Sequence, residues 1–391
     1  MEQNPIQSLF LHHGEAFRRL NNLSVVQLKA MQAIERCSTE RAGFHSFICE
    51  SCGHTEIAYN SCRNRHCPHC QWLKQEIWID KVKSQLLPVK YVHLVFTLPE
   101  FLNEFVLINH QLIYDILFEA SWHALQKCAA SYLGVQTGAL SVLHTWGQNL
   151  SLHPHVHMLV PAGGLDTDGM QWIVSPNKFF LPVRALSKIF RARVMFQLFE
   201  ALFNKKLKIP ESWADRNLVE GLKQLAKEKD WVVHSEKKRL SPVKVIEYLG
   251  RYIQRVAISN RRIESMDEGK VCFSYKDYAD KGKRKKMELA PMEFIRRFML
   301  HILPQRFCKV RYFGLLAIKN RATKLALCFS LIDKAQLPPR FMGLTMIQIL
   351  ELLTGRDYSI CPCCKTGHMQ LYKPPECGGK EICSLHVDVQ S

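Results

Sequence analysis

Residues 138–161 read GALSVLHTWGQNLSLHPHVHMLVP and carry the clearest structural signal in the chain. Two runs of apolar and β-branched residues flank the turn-forming segment GQNLS, which predicts a β-hairpin. Side chains two positions apart on a strand point to the same face, so His155 and His157 share one face. The apolar residues that alternate with them point to the other face and predict a buried core there.

Two imidazoles at neighbouring positions on one face can bind a divalent cation together. Mg²⁺ or Mn²⁺ would complete its coordination with water and with phosphate oxygens of a substrate. We therefore predict a catalytic metal site at His155 and His157, with His144 on the partner strand and Gln148 in the turn as candidates for a third ligand. The alternative is a pair of histidines that bind other polar groups and no metal.

The overall charge favours a polyanionic partner. The 391 residues include 53 Lys and Arg against 35 Asp and Glu, a net charge of +18, and such an excess is typical of nucleic-acid-binding proteins.

No apolar run is long enough to span a membrane, and the N-terminal residues MEQNPIQSLF lack the features of an export signal. We expect a cytoplasmic protein that binds nucleic acid and has no membrane partner.

The 15 cysteines include two clusters with C-x-x-C pairs, which indicate metal thiolates rather than disulfides in a reducing compartment. The spacing in the first cluster predicts a structural zinc ribbon, because four protein ligands leave no coordination position open for catalysis. Cys62, His66 and His69 are spare and are expected to pack, although a second site with Cys37 and His45 is an alternative. The predicted zinc ligands are Cys49, Cys52, Cys67 and Cys70.

The second cluster, CPCCKTGHMQLYKPPECGGKEIC at residues 361–383, offers another small zinc knuckle. Its last two cysteines are spaced poorly for a knuckle, so a tail with free thiols is the alternative. The candidate ligands are Cys361, Cys364, Cys377 and Cys383.

The segment SPVKVIEYLGRYIQRVAISNRRI, residues 241–263, predicts a helix with serine as its N-cap and proline in its first turn. Tyr248 and Tyr252 are four positions apart, so they lie on one side of this helix, between an apolar stripe and a basic face. Two phenols beside a basic face are well placed to meet a phosphate, and two tyrosines at the rim of the core are the alternative. The basic face consists of Lys244, Arg251 and Arg255.

The histidine pair and the two tyrosines together predict phosphoryl transfer. A phenol has a pKa of about 10 and is a weak nucleophile at neutral pH, so a cation held by the histidines would polarise the scissile phosphate. Attack by a tyrosine would leave a 5′-phosphotyrosine and a free 3′-hydroxyl. The covalent bond would preserve the energy that is needed to rejoin the strands.

The sequence HVH at residues 155–157 is similar to the histidine–hydrophobic–histidine (HUH) motif of single-strand DNA nucleases. The chain resembles rolling-circle transposases of the insertion-sequence ninety-one type, which carry a zinc-binding domain like CESCGH…NSCRNRHCPHCQ, then HTWGQNLSLHPHVHMLVPAGG, then a helix like YLGRYIQRVAISNRRI. All three motifs occur here in that order. The resemblance implies transfer of single-stranded DNA between element ends and target, with Tyr248 and Tyr252 as nucleophiles.

Residues 281–286, KGKRKK, form a basic segment that we expect to be a loop between two strands. In a DNA enzyme such a loop is a candidate phosphate clamp, and a solvated turn is the alternative. Its basic residues are Lys281, Lys283, Arg284, Lys285 and Lys286.

We predict an α+β protein in which an N-terminal zinc ribbon precedes an HUH-nuclease core with an antiparallel sheet and packed helices. The expected domains are residues 1–85, residues 86–345 with a helical insertion near 164–240, and a tail at 346–391. The predicted function is transposition of an insertion sequence by a metal-dependent HUH endonuclease and strand transferase. One rival, a plasmid rolling-circle replication initiator or relaxase, shares this chemistry; the other is a non-catalytic zinc-dependent nucleic-acid-binding protein.

Overall fold

The computed structural model describes residues 4–176, 180–214, 217–236, 241, 244, 246, 250, 257–267, 269–277, 280–333, 335, 336 and 338–372. Within these residues the helices are α1 (Pro5–Leu20), α2 (Val25–Arg36), α3 (Trp72–Lys83), α4 (Asn103–Ile108), α5 (His110–Leu133), α6 (Val183–Phe203), α7 (Leu218–Glu228), α8 (Pro291–Met299), α9 (Ala326–Leu331) and α10 (Met346–Thr354). The strands are β1 (Phe44–Cys49), β2 (Thr55–Tyr59), β3 (Tyr91–Thr97), β4 (Gly138–Trp146), β5 (Leu152–Pro161), β6 (Gly163–Leu165), β7 (Trp172–Val174), β8 (Val233–Ser235), β9 (Ile263–Asp267), β10 (Lys270–Asp277), β11 (Lys283–Leu289), β12 (Val310–Gly314) and β13 (Met369–Leu371). In the described part of the chain, every helix is too short or too polar to cross a membrane.

A five-stranded antiparallel sheet lies in the first of two compact units, which comprises residues 4–35 and 63–343. The strand order is β12-β4-β5-β3-β8. β4 and β5 pair as the predicted hairpin, with Leu140 opposite Leu159 and His144 opposite His155. This antiparallel sheet, together with its packed helices, confirms the predicted fold class.

One face of the sheet is covered by α5 and α6. Val156, Met158 and Val160 of β5 are fully buried in the same apolar core as Leu117 of α5 and Phe190 of α6. Burial of one such side chain contributes about 1.5–3 kcal/mol to stability. A shift of β5 by one residue would move all three apolar side chains to the opposite face and turn the histidines toward this core, so the alternation fixes which face carries the histidines.

The opposite face carries the histidines and is covered by a second apolar cluster. Leu140, Val142 and Leu159 of the sheet are fully buried there with Ile79 of α3. Ile246, one of the few described residues of the predicted tyrosine helix, belongs to the same cluster and is also fully buried. Ile246 therefore packs on the histidine face of the sheet.

A separate antiparallel sheet of β9, β10 and β11 lies within the same unit. Phe273 of β10 packs edge-on against Phe294 of α8, with ring centroids 5.9 Å apart. The expectation that residues 281–286 form a loop is wrong for residues 283–286, which pair with β10 as part of β11. The turn includes Lys281 and Gly282, whose φ angles of 50° and 78° are left-handed.

The second compact unit comprises residues 36–62 and 344–372 and contains a three-stranded antiparallel sheet. β1 lies between β2 and β13, with Phe47 opposite Leu371 and Cys49 opposite Met369. β13 thus adds a third strand, from beyond residue 360, to the hairpin that β1 and β2 form near residue 50.

Candidate functional site

The sheet brings His144, His155 and His157 together as a histidine cluster. One ring nitrogen from each lies within 4.8 Å of the others, and the ring centroids of His144 and His157 are 4.3 Å apart. The hairpin register explains the cluster, because His144 lies opposite His155 and His157 follows two positions later on the same face. Three imidazoles at this separation form a candidate metal centre.

Hydrogen bonds orient the rings of His155 and His157 in the same way. Nδ1 of His155 lies 2.7 Å from the carbonyl oxygen of His153, which can only accept, so Nδ1 carries the hydrogen. Nδ1 of His157 lies 2.7 Å from Nε2 of His93, and Nδ1 of His93 lies 3.0 Å from a carboxylate oxygen of Glu236. When the His93 ring carries its hydrogen on Nδ1 and donates it to this carboxylate, its Nε2 accepts from Nδ1 of His157. Both cluster histidines then direct the lone pair to Nε2, the form that binds a metal.

Burial keeps the histidine cluster neutral. Burial lowers the pKa of His155 to about 4. Burial, reinforced by the neighbouring imidazoles, holds the pKa values of His144 and His157 well below their usual range. At neutral pH the lone pairs are therefore available for a cation.

The donor set fits a divalent cation that keeps part of its coordination sphere for water and phosphate. Of the two cations expected from the sequence, Mn²⁺ suits three nitrogen donors better, since Mg²⁺ prefers oxygen ligands. His144 lies in the histidine cluster as a third donor. Gln148 lies in the turn between β4 and β5, where its backbone carbonyl accepts a 2.5 Å hydrogen bond from Arg262. A ligand role for the Gln148 side chain stays a prediction.

A cavity of about 320 Å³ lies at the end of β4 and has a basic and aromatic lining. The ammonium group of Lys309 lies 4.8 Å from the centroid of the Trp146 ring, and that ring stacks on His144 at 4.9 Å. Burial, with a smaller effect from the charge of Arg65, lowers the pKa of Lys309 to about 7. Trp146 thus connects the cavity to the histidine cluster. The lining includes Arg65, His66, Trp78, Trp146, His301 and Lys309.

Three residues beside the histidine cluster were not predicted from the sequence: His93, Glu236 and Lys309. The strand KYVHLVFTLP contained a usable signal, because its alternation places His93 on one face with Tyr91. Glu236 and Lys309 have no such local signal. Glu236 directly follows β8, which pairs with β3, and Lys309 directly precedes β12, which pairs with β4, so each reaches the site only through these strand pairings.

The predicted tyrosine helix is described at only a few positions. Lys244 is helical and exposed. Gly250 packs closely against α3, because a Cβ added there would lie 2.3 Å from Cδ1 of Ile79. The residues of this helix that were predicted to act on DNA but lie outside the described residues are Tyr248, Tyr252, Arg251 and Arg255.

Two of the four predicted zinc ligands, Cys49 and Cys52, lie in the second compact unit beside the second predicted knuckle. C-x-x-C spacing identifies each knuckle, and the pairing of β1 with β13 brings these two knuckles together. The sulfurs of Cys49, Cys52, Cys361 and Cys364 lie within 4.8 Å of one another. Cys67 and Cys70 lie in the first compact unit, and their role as zinc ligands stays a prediction.

Four further residues were predicted as possible zinc ligands: Cys62, His66, Cys377 and Cys383. Cys377 and Cys383 lie outside the described residues. A zinc-ligand role for Cys62 stays a prediction. The Nε2 of His66 accepts a 3.1 Å hydrogen bond from the backbone amide of Leu303, and burial lowers the pKa of His66 to about 3.

The lysines of β11 are paired with carboxylates. Lys285 lies 2.8 Å from Asp277 and 3.1 Å from Asp280, and Lys283 lies 3.0 Å from Asp280. Lys286 lies 2.8 Å from a carboxylate of β9. Exposed ion pairs are weak, so a polyanion can compete for these lysines, although part of their charge is neutralised. A phosphate clamp at this strand stays a prediction.

Comparison with known proteins finds similarity to transposases. Residues 138–324 match a family model of transposases, and residues 9–98 match the transposase zinc-binding domain. The chain is 40% identical over 377 residues to the y4qJ protein of Sinorhizobium fredii, which is named as a transposase; the match covers 93% of this chain and 94% of that protein. It is 30% identical over 301 residues to the transposase for insertion sequence element IS801 of Pseudomonas savastanoi pv. phaseolicola, covering 75% of this chain and 70% of that one.

Proposed function

Because this chain belongs to the transposase family of the insertion-sequence ninety-one type, we propose that it cleaves and rejoins single-stranded DNA through a 5′-phosphotyrosine. The reaction would move an insertion sequence by a rolling-circle route. Its substrates would be the element ends and the target, both single-stranded, in the cytoplasm at the nucleoid.

The histidine cluster is the observation that supports this proposal most directly. Its three neutral imidazoles lie on the sheet face where Ile246 is buried, two positions before Tyr248. The proposed chemistry needs the segment that carries the tyrosines to pack on the same face as the metal ligands. The burial of Ile246 and the close packing of Gly250 on α3, at described positions on either side of Tyr248, support the proposal.

In the proposed reaction the phenolic oxygen of Tyr248 or Tyr252 attacks phosphorus, an O–P bond forms, and the bond from phosphorus to the 3′ oxygen breaks. The phenol gives its proton to solvent, and the departing 3′ oxygen takes one up. His144, His155 and His157 would hold the cation, which when bound would neutralise charge that develops on the phosphate. Attack by a 3′-hydroxyl reverses the step and rejoins the strands.

The cavity beside the histidine cluster supports a DNA substrate. Its lining includes Arg65 and Lys309, two basic groups that can meet a phosphate of the strand. The net charge of +18 favours attraction of the DNA strand over a longer range.

The test is to incubate the full chain and Mn²⁺ with a single-stranded oligonucleotide that contains an element end and is labelled at its 3′ end. A 5′-phosphotyrosine would retain the labelled downstream fragment, which would migrate with the protein on a denaturing gel. We expect the adduct with the wild type and with the control Tyr132→Phe, which alters a tyrosine 56% exposed on α5. We expect none with the double variant Tyr248→Phe/Tyr252→Phe.

Each outcome of this test has a definite meaning. An adduct from the double variant would exclude these tyrosines as the nucleophiles, and undiminished cleavage by His155→Ala would exclude the metal site. A wild type that binds the oligonucleotide but forms no adduct would favour the non-catalytic rival. An adduct that forms on one origin-like sequence, without joining element ends to a target, would favour the replication initiator or relaxase.

A further inference from the structure

Two knuckles from distant parts of the chain have the same backbone design. In the first, the amide of Ser51 donates to Sγ of Cys49 at 3.4 Å. In the second, the amide of Cys363 donates to Sγ of Cys361 at 3.4 Å. Such N–H···S bonds favour the thiolate form of a cysteine, which is the form that binds a metal.

The turns of the two knuckles also correspond. The amide of Cys49 donates to the carbonyl of His54, and the amide of Cys361 donates to the carbonyl of Gly367, both at 2.8 Å. The residue after the second cysteine is left-handed in both knuckles: Gly53 has a φ of 69° and Lys365 a φ of 61°. The two knuckles therefore have the same turn geometry.

The four sulfurs lie within 4.8 Å of one another, and two of their separations match those around one tetrahedral ion. Sγ of Cys49 lies 3.7 Å from Sγ of Cys364, and Sγ of Cys52 lies 3.7 Å from Sγ of Cys361. Zn–S bonds of about 2.3 Å in a tetrahedron would separate the sulfurs by about 3.8 Å. A disulfide would need about 2.05 Å, so these contacts are not disulfides.

The backbone packs closely around the four sulfurs. β1 pairs with β13 and places Cys49 opposite Met369, which brings the two knuckles side by side. A Cβ added at Gly367 would lie only 2.6 Å from Sγ of Cys49. The close approach of the second knuckle to this sulfur thus needs a glycine at position 367.

We propose that Cys49, Cys52, Cys361 and Cys364 bind one structural zinc ion that joins the two knuckles. The matched zinc-binding domain, residues 9–98, contains only two of these ligands. The site is therefore completed by residues more than 300 positions further along the chain, and it forms only after residue 364 has been synthesised. The ion holds β13 and its knuckle on β1, independently of the DNA chemistry proposed above.

The first experiment measures zinc per chain in purified full-length variants. Cys361→Ser/Cys364→Ser is expected to contain about one zinc equivalent less than the wild type, and so is Cys49→Ser/Cys52→Ser. The variant with all four substitutions is expected to lose one equivalent in total, since the pairs share one ion. Cys363→Ser is the matched control, because this exposed thiol lies in the same knuckle but outside the four-sulfur group. Loss of two equivalents from the fourfold variant, or no loss from either double variant, would overturn the proposal.

A second measurement uses the wild type and does not depend on the folding of variants. Iodoacetamide labelling of the zinc-loaded chain, read by mass spectrometry, is expected to modify Cys363 quickly and the four ligands slowly. A chelator should expose all four ligands together. If Cys361 and Cys364 react as fast as Cys363 before the chelator is added, the site does not exist.

Discussion

Replacing His93 with alanine tests whether this residue positions a metal ligand. The His93 ring is 4% exposed, stacks on His157 with centroids 5.0 Å apart, and joins it to Glu236 through hydrogen bonds of 2.7 and 3.0 Å. In His93→Ala the Nδ1–H of His157 loses this acceptor and the ring loses the neighbour that fixes its tautomer. The lone pair at Nε2 is then no longer held toward the histidine cluster.

The expected size of the effect follows from this position. Loss of a group that orients a metal ligand typically weakens metal binding by about 10- to 100-fold, or about 1.4–2.7 kcal/mol. Glu236→Gln should have a smaller effect, below about tenfold. Its side chain is 36% exposed, and the amide oxygen of glutamine can still accept from His93.

Isothermal titration of Mn²⁺ into the zinc-loaded full chain measures this effect as a dissociation constant. His234→Ala is the control, because it removes an exposed histidine from β8 and leaves both hydrogen bonds of His93 intact. A thermal unfolding curve shows whether each variant is folded at the titration temperature. A folded His93→Ala variant that binds Mn²⁺ within twofold of the wild type would refute the positioning role.

Three further predictions concern the cavity, the core and an ion pair. Lys309, with a pKa lowered to about 7, is mostly protonated at about pH 6. At that pH Lys309→Met should lower the slope of log K against log salt for single-stranded DNA, measured by fluorescence anisotropy, by about 0.7, the value for one phosphate contact; an unchanged slope contradicts the contact. Leu159→Ala, which empties a fully buried position, should reduce the free energy of unfolding in urea by about 2–5 kcal/mol, and a loss below about 1 kcal/mol would mean that the site repacks. Hydrogen bonds from Arg296 and Arg297 lower the pKa of Glu293 to about 2. The ionised carboxylate therefore stabilises the folded chain above the usual pKa of 4.5, and this stabilisation disappears as the pH falls toward 2. Glu293→Gln should therefore cost about 1 kcal/mol at pH 7, given the screening of a partly exposed pair, and the difference from the wild type in urea unfolding should shrink at pH 3; a difference that does not change with pH would exclude the ion pair as its cause.

The features that were predictable from the sequence are those that depend on neighbouring residues. Alternation along β5 placed His155 and His157 on one face, and the turn GQNLS joined the hairpin that carries His144. The knuckles at Cys49 and Cys361 were likewise visible as C-x-x-C pairs, because knuckle geometry involves only a few consecutive residues.

Contacts between distant segments needed the folded chain. Which knuckle meets Cys49 depends on the pairing of β1 with β13, and the support of His157 depends on β3 and β8 lying side by side. The lysines near residue 285 read as an unpaired basic loop, yet a strand brings carboxylates within 3 Å or so of them. Side-chain alternation and turn preference act over a few residues and can be read along the chain, whereas strand order is set by burial of the whole core and cannot.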